Sequence, residues 1–74
     1  MVPFALQLAL EQHFLAAQAD PKDGLVQNNL GWALEQAGRL TEALARYQAA
    51  LQLVGNHPQI LRNVARVSMK MQGQ

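Results

Sequence analysis

Asn29-Leu30-Gly31-Trp32-Ala33-Leu34-Glu35-Gln36-Ala37-Gly38-Arg39-Leu40-Thr41-Glu42-Ala43 is the stretch of sequence that decides the fold. Leu30, Ala33, Leu34 and Ala37 recur at the spacing of one helix face, Gly38 breaks the run, and Leu40, Ala43 and Leu44 start another. A helical period on each side of a glycine, with so little chain between, predicts two antiparallel helices in a hairpin.

Working outward, the same reading yields four helices, at about 3–19, 25–37, 41–54 and 58–72. Asp20-Pro21-Lys22-Asp23-Gly24 closes the first, Gly38 the second, and Gly55-Asn56-His57 the third. Pro58 opens the fourth, at a position where its missing N–H is no loss. The apolar face expected of the second helix is Val26, Leu30, Ala33, Leu34 and Ala37. That of the third is Leu40, Ala43, Leu44, Tyr47, Ala50, Leu51 and Val54, and that of the fourth is Ile60, Leu61, Val64, Ala65 and Met71. Period-two alternation is not sustained anywhere, so the fold class is all-α. The connections are about two to five residues, which makes each consecutive pair a hairpin. Glu35/Arg39 and Glu42/Arg46 stand at i,i+4 and are expected to pair along their helices.

Composition narrows the function. The 74 residues make one small domain, and half of them are hydrophobic. There is no cysteine, and His13 and His57 do not stand at a helical metal-ligand spacing, so neither a metal nor another cofactor is expected. No nucleophile-and-base motif or phosphate loop is present, which argues against an enzyme; His13 reads as a packing residue and His57 as part of a turn or helix cap. The net charge is +1, too small for a general nucleic-acid or membrane argument. It is uneven, however: residues 1–57 carry three bases and five acids, whereas residues 58–74 carry Arg62, Arg66 and Lys70 and no acid. The opening Met1-Val2-Pro3-Phe4-Ala5-Leu6 has no basic start, and Gln7 and Glu11 interrupt its apolar run, so neither a secretory leader nor a membrane span is expected. A cytoplasmic protein is the expectation.

Shifted by 34 residues, the chain falls on itself. Asn29-Leu30-Gly31 meets Asn63-Val64-Ala65, Ala9-Leu10 meets Ala43-Leu44, and Ala16 meets Ala50. Together with Leu30-Gly31, Ala43 and Tyr47, this period makes Gly24 to His57 resemble the tetratricopeptide repeat. Small Gly31 and Ala43 suit close helix approach, with Tyr47 and Leu34 filling the space beside them. Gln27 stands where the family prefers a large apolar residue, Leu34 replaces a tyrosine, and Gly55 takes the usual proline slot. The resemblance implies a right-handed superhelical array that binds polypeptides.

In that register residues 1–23 are the second half of a repeat, 24–57 a full repeat and 58–74 a first half, within a single domain. The first and fourth helices then lack hairpin partners. Phe4, Leu6, Leu8, Leu10 and Phe14 on the first, and Leu61, Val64 and Met71 on the fourth, are the residues expected to support self-association into a homo-oligomer. The alternative is that the chain is a piece of a longer array whose neighbours cover both ends.

The resemblance also implies a concave groove lined by the second and fourth helices, with a protein or peptide as partner. Its expected lining is Asn28, Asn29, Trp32, Glu35 and Gln36, with Leu25, and then Arg62, Asn63, Arg66 and Lys70, with Gln59 and Met69. Trp32 is the natural anchor. Arg62, Arg66 and Lys70, at i,i+4,i+8, form a basic stripe suited to an acidic peptide or a carboxylate terminus. Of the asparagine and lysine clamp by which chaperone-binding members hold carboxylates, only Asn29 and Asn63 find an echo. A helix-turn-helix that binds nucleic acid is the minor alternative, and the acid-rich remainder of the chain argues against it.

Overall fold

The computed structural model describes residues 2–73. It contains four helices, α1 (Phe4–Ala19), α2 (Gly24–Gln36), α3 (Leu40–Val54) and α4 (Pro58–Gln72), and no strand among the described residues. Each expected boundary falls within a residue of the observed one. None of these helices is long and apolar enough to cross a membrane.

Local chemistry accounts for the stops and starts. The Asp23 carboxylate accepts from the Leu25 and Val26 amides at 2.9 and 3.3 Å, capping α2. Gly38 at φ +79° lets α2 end with paired bonds from the Gly38 amide to the Glu35 carbonyl and from the Arg39 amide to the Leu34 carbonyl. His57 caps α4 through Nδ1, which accepts from the Gln59 amide at 3.2 Å, with Pro58 in the first turn. The expected cap role for His57 is therefore its observed one.

Consecutive helices pack on one another: α1 on α2, α2 on α3, and α3 on α4. In the central pair, Gly31 lies against Tyr47 and the Ala43 carbonyl, while Gly24 lies against Ala50 and Val54. A residue early in α2 thus faces one late in α3, which is an antiparallel hairpin. A Cβ on Gly31 would come within 2.8 Å of the Tyr47 ring, so α2 and α3 approach as closely as they do because that position is bare. Tyr47, Leu30, Ile60 and Val67 are the largest fully buried side chains. Ala17, Leu34, Leu40, Ala43 and Ala50 complete the core around them.

Two expected features are corrected. On α4 Val67 is buried, and Leu61 and Ala65 are exposed; the inward face follows Ile60, Asn63 and Val67 at i,i+3,i+7. The expected i,i+4 ion pairs are replaced by others. Glu35 turns inward to α4, Arg39 pairs with Glu42 at 2.6 Å, and Arg46 donates to the Gln27 side chain at 3.2 Å. Gln27, noted as a departure from a large apolar residue, is buried and satisfied at both ends, since its Nε2 also donates to the Pro21 carbonyl. A polar bridge between the α1–α2 turn and α3 thus occupies a position where bulk was expected.

Candidate functional site

Helices α2 and α4 lie side by side and parallel, and polar bonds join them. Asn63 Nδ2 donates to Asn28 Oδ1 at 2.9 Å, and Lys70 Nζ donates to Glu35 Oε2 at 2.7 Å. Both contacts join residues 35 apart in the chain, close to the 34-residue period of the sequence. The chain therefore comes back alongside itself after one period, as stacked hairpins require.

Glu35 is the hub of this face. Its side chain is fully buried, yet it accepts four bonds. Arg66 grips it with a fork, Nε to Oε2 at 2.7 Å and Nη2 to Oε1 at 2.8 Å. Lys70 supplies a third bond, and the Tyr47 hydroxyl on α3 donates the fourth to Oε1 at 2.8 Å. One carboxylate so ties three helices. The Arg66 fork, helped by Lys70 and Tyr47, holds the Glu35 carboxyl at about 2, against the opposing effect of its burial. Burial and the adjacent Glu35 charge push the Tyr47 phenol upward, and Glu35 pushes the Arg66 guanidinium upward too. All three groups are locked in the protonation state that keeps the cluster intact.

The arrangement alters what the expected groove residues can do. Glu35 and Asn63 are buried and spent on holding α4 to α2, so they are not open to a ligand. Arg66 and Lys70 have their charges directed at Glu35, which divides the expected basic stripe: only Arg62, whose bond is to neutral Gln59 at 3.0 Å, faces no acid. Asn28 is partly covered, and Asn29 and Gln36 are exposed. Trp32 is 49% exposed. It shares the outer face of α2 with Leu25, one heptad earlier and also exposed, and Met69 is exposed on α4. The sequence could not announce the Glu35 cluster by spacing, because its closest helical partner, Arg39, was on offer at i,i+4.

The residues expected to self-associate divide as well. Phe4, Leu8, Phe14 and Leu61 are exposed, whereas Leu6, Leu10, Val64 and Met71 are partly covered by their own chain.

A hairpin of two antiparallel helices, closed over a bare Gly31 and followed one period later by a parallel neighbour, has a counterpart among known families. Residues 24–57 match the family model of the tetratricopeptide repeat. The segment is a tetratricopeptide repeat. Neither the curated proteins nor the solved structures compared contain a match to the chain. Repeats of this family serve as protein–protein interaction modules and are typically non-catalytic.

Proposed function

We propose that the chain is a non-catalytic scaffold module that takes an extended polypeptide segment on the face formed by α2 and α4. The half-exposed Trp32 carries this reading: a large, amphipathic side chain set away from the core, on the face whose helices are already fixed in place by Glu35. Of the cations of α4, Arg62 faces no acid, so the preferred segment carries an acidic group together with one large apolar residue to cover the indole. In this reading residues 1–23 and 58–74 are halves of adjoining repeats. A cytoplasmic setting fits the lack of cysteine.

Trp32 is the single tryptophan, so its emission reports directly on this face. Titrating acidic peptides that carry one aromatic or leucine residue should shift that emission saturably. Trp32→Ala, followed by calorimetry, should weaken binding roughly tenfold or more, and Arg62→Ala should weaken it less and make it less sensitive to salt. Unchanged emission across a panel of acidic and neutral peptides would remove the proposal. A nucleic-acid partner is disfavoured by the same geometry, because two of the three cations of α4 already face a carboxylate.

A second reading rests on a separate observation. In the central hairpin Ala43 and Ala50 of α3 lie against Gly31 and Gly24 of α2. One period away from these four positions are Ala9 and Ala16 on α1, and Ala65 and Pro58 on α4; Ala16, Ala65 and Pro58 are exposed, and so is the neighbouring Leu61. The α4 of one copy and the α1 of another, or of a neighbouring repeat in a longer array, are suited to complete a hairpin in this way. Between copies such contact is head-to-tail and builds a ring or filament. Leu61→Glu should abolish it.

A further inference from the structure

Completing a hairpin on α1 would still leave part of that helix bare. At about 100° per residue, Ala9 and Ala16 lie on one flank of α1, and Leu6, Leu10 and Ala17 on the side turned to α2. Phe4, Leu8 and Leu15 lie opposite that packed side and roughly 120° from the flank. Their exposures are 74%, 43% and 62%, the largest apolar exposure on any one helix stripe of the chain's described residues. One period on, the same positions are Gly38, Glu42 and Ala49, small or charged, whereas α1 turns outward two leucines and a phenylalanine.

We propose that this stripe is a dimerisation seam, covered by the same stripe of a second copy with the two α1 helices antiparallel about a two-fold axis. Three features of α1 select that occupant. First, positions 4, 8, 11 and 15 follow the four-three-four spacing of a heptad seam, interrupted only by Glu11. Second, the stripe is self-complementary when reversed: Phe4 falls opposite Leu15 of the second copy, and Leu8 opposite its Glu11. An isologous contact demands that property. Third, α1 carries no lysine or arginine, and Glu11 is its single acid. A charged partner would find almost nothing to pair with, whereas an uncharged apolar helix, which α1 itself supplies, loses little. Because the stripe faces away from α2, two copies can meet without disturbing the repeat.

The same features predict a weak dimer. The three side chains offer on the order of 300–400 Å² per copy, short of the ~800 Å² per partner of a standard stable interface. Glu11 adds to the weakness, since the two Glu11 residues lie about 4.5 Å apart along the helix axes in this register. Glu11 thus acts as a brake on the seam, and its removal is a sharper test than any truncation.

Sedimentation equilibrium of the whole chain over rising concentration reads the outcome, with circular dichroism confirming that each variant keeps its helices. With head-to-tail contact removed by Leu61→Glu, the chain should approach twice the protomer mass at high concentration and go no further. Glu11→Leu should tighten the dimer roughly tenfold or more, as a second pair of leucines enters the seam. Leu8→Glu added to Leu61→Glu should return the chain to a monomer. Glu11→Leu remaining monomeric at every concentration would overturn the seam. So would association of the Leu61→Glu chain that survives Leu8→Glu.

Discussion

Tyr47 and Phe4 are both large aromatic residues on helices of the same small array, and their fates are opposite: one is fully buried and the other three-quarters exposed. The difference lies in what stands across from them. Tyr47 faces Gly31 on a helix joined to its own by a three-residue turn, and its hydroxyl reaches Glu35. Phe4 stands on a helix that, among the described residues, packs extensively on α2 alone, on the far side. An apolar residue is therefore not a core residue until a neighbouring element offers a surface shaped to it. The central hairpin covers both its helices, while the outward stripe of α1 is bare among the described residues. The hardest way to break that contrast is to empty the covered side. Tyr47→Ala should cost about 3–5 kcal/mol through the cavity it leaves. A chain this short has little more stability than that in total, so thermal denaturation should show it largely unfolded. Tyr47→Phe, which keeps the ring and loses one of the four bonds to Glu35, should cost only about 1 kcal/mol.

How much of this was legible beforehand differs between the two regions for the same reason. Leu30, Gly31, Ala43 and Tyr47 interact within one hairpin, where period and a short turn determine who meets whom, and the sequence conveyed the helices, the hairpin and the small-residue contact. The Glu35 cluster was not legible as such. It joins residues 31 and 35 positions apart, and a carboxylate with an arginine at i+4 reads as surface decoration until the array places another helix beside it. The face of α4 was misjudged by one residue for a related cause: Leu61 and Ala65 are as apolar as the buried Ile60 and Val67, and only the packed α3 distinguishes them. Phe4 and Leu8 could be recognised as apolar, but not as the side turned away from α2.

Acid should sharpen the comparison by attacking the cluster that locks α4 to the hairpin while sparing α1. The Glu35 carboxyl lies at about 2 in the folded chain against an ordinary value of 4.5. A lowered folded value means that its stabilisation is fully present above about pH 4.5 and is lost as the pH falls towards 2. With Arg66 and Lys70 nearly half in solvent, the loss should be on the order of 2 kcal/mol. Denaturant titrations at pH 6 and pH 3 would measure it, and Glu35→Gln should remove most of the difference between those two conditions. Equal acid sensitivity in the parent and in Glu35→Gln would mean that the cluster is not what holds α4.

A finer test sets Gly31 against the position one period later. Gly31→Ala adds a methyl that must displace the Tyr47 ring or the Ala43 carbonyl, the latter at 3.3 Å. Overpacking of that kind costs about 1–3 kcal/mol, partly offset by the roughly 1 kcal/mol that alanine gains over glycine in a helix. A net loss of about 1 kcal/mol should appear in the denaturation midpoint. One period on, Ala65 is exposed, with no helix across from it among the described residues. Ala65→Gly should therefore lose about 1 kcal/mol from helix propensity alone, the opposite exchange giving the same sign. If Gly31→Ala stabilised the chain instead, the close approach of α2 and α3 would not depend on the bare position.

The smallest effect is expected where the exposed area is greatest. In dilute solution Phe4→Ala removes a side chain that touches little of its own protomer, and its stability should change by less than about 0.5 kcal/mol. Phe4 lies in the first turn of α1, which has no side-chain cap, so local fraying absorbs most of even that loss. Measured at low and high protein concentration, the same substitution tells the two accounts of α1 apart. A cost that stays near zero at both marks a side chain with nothing to cover it within or between copies. A cost that emerges only as concentration rises marks one that packs when a second chain arrives, because association stabilises whatever state binds and makes the midpoint concentration-dependent. Tyr47→Ala should show no such dependence beyond the parent's, since what Tyr47 packs against is already part of its own hairpin.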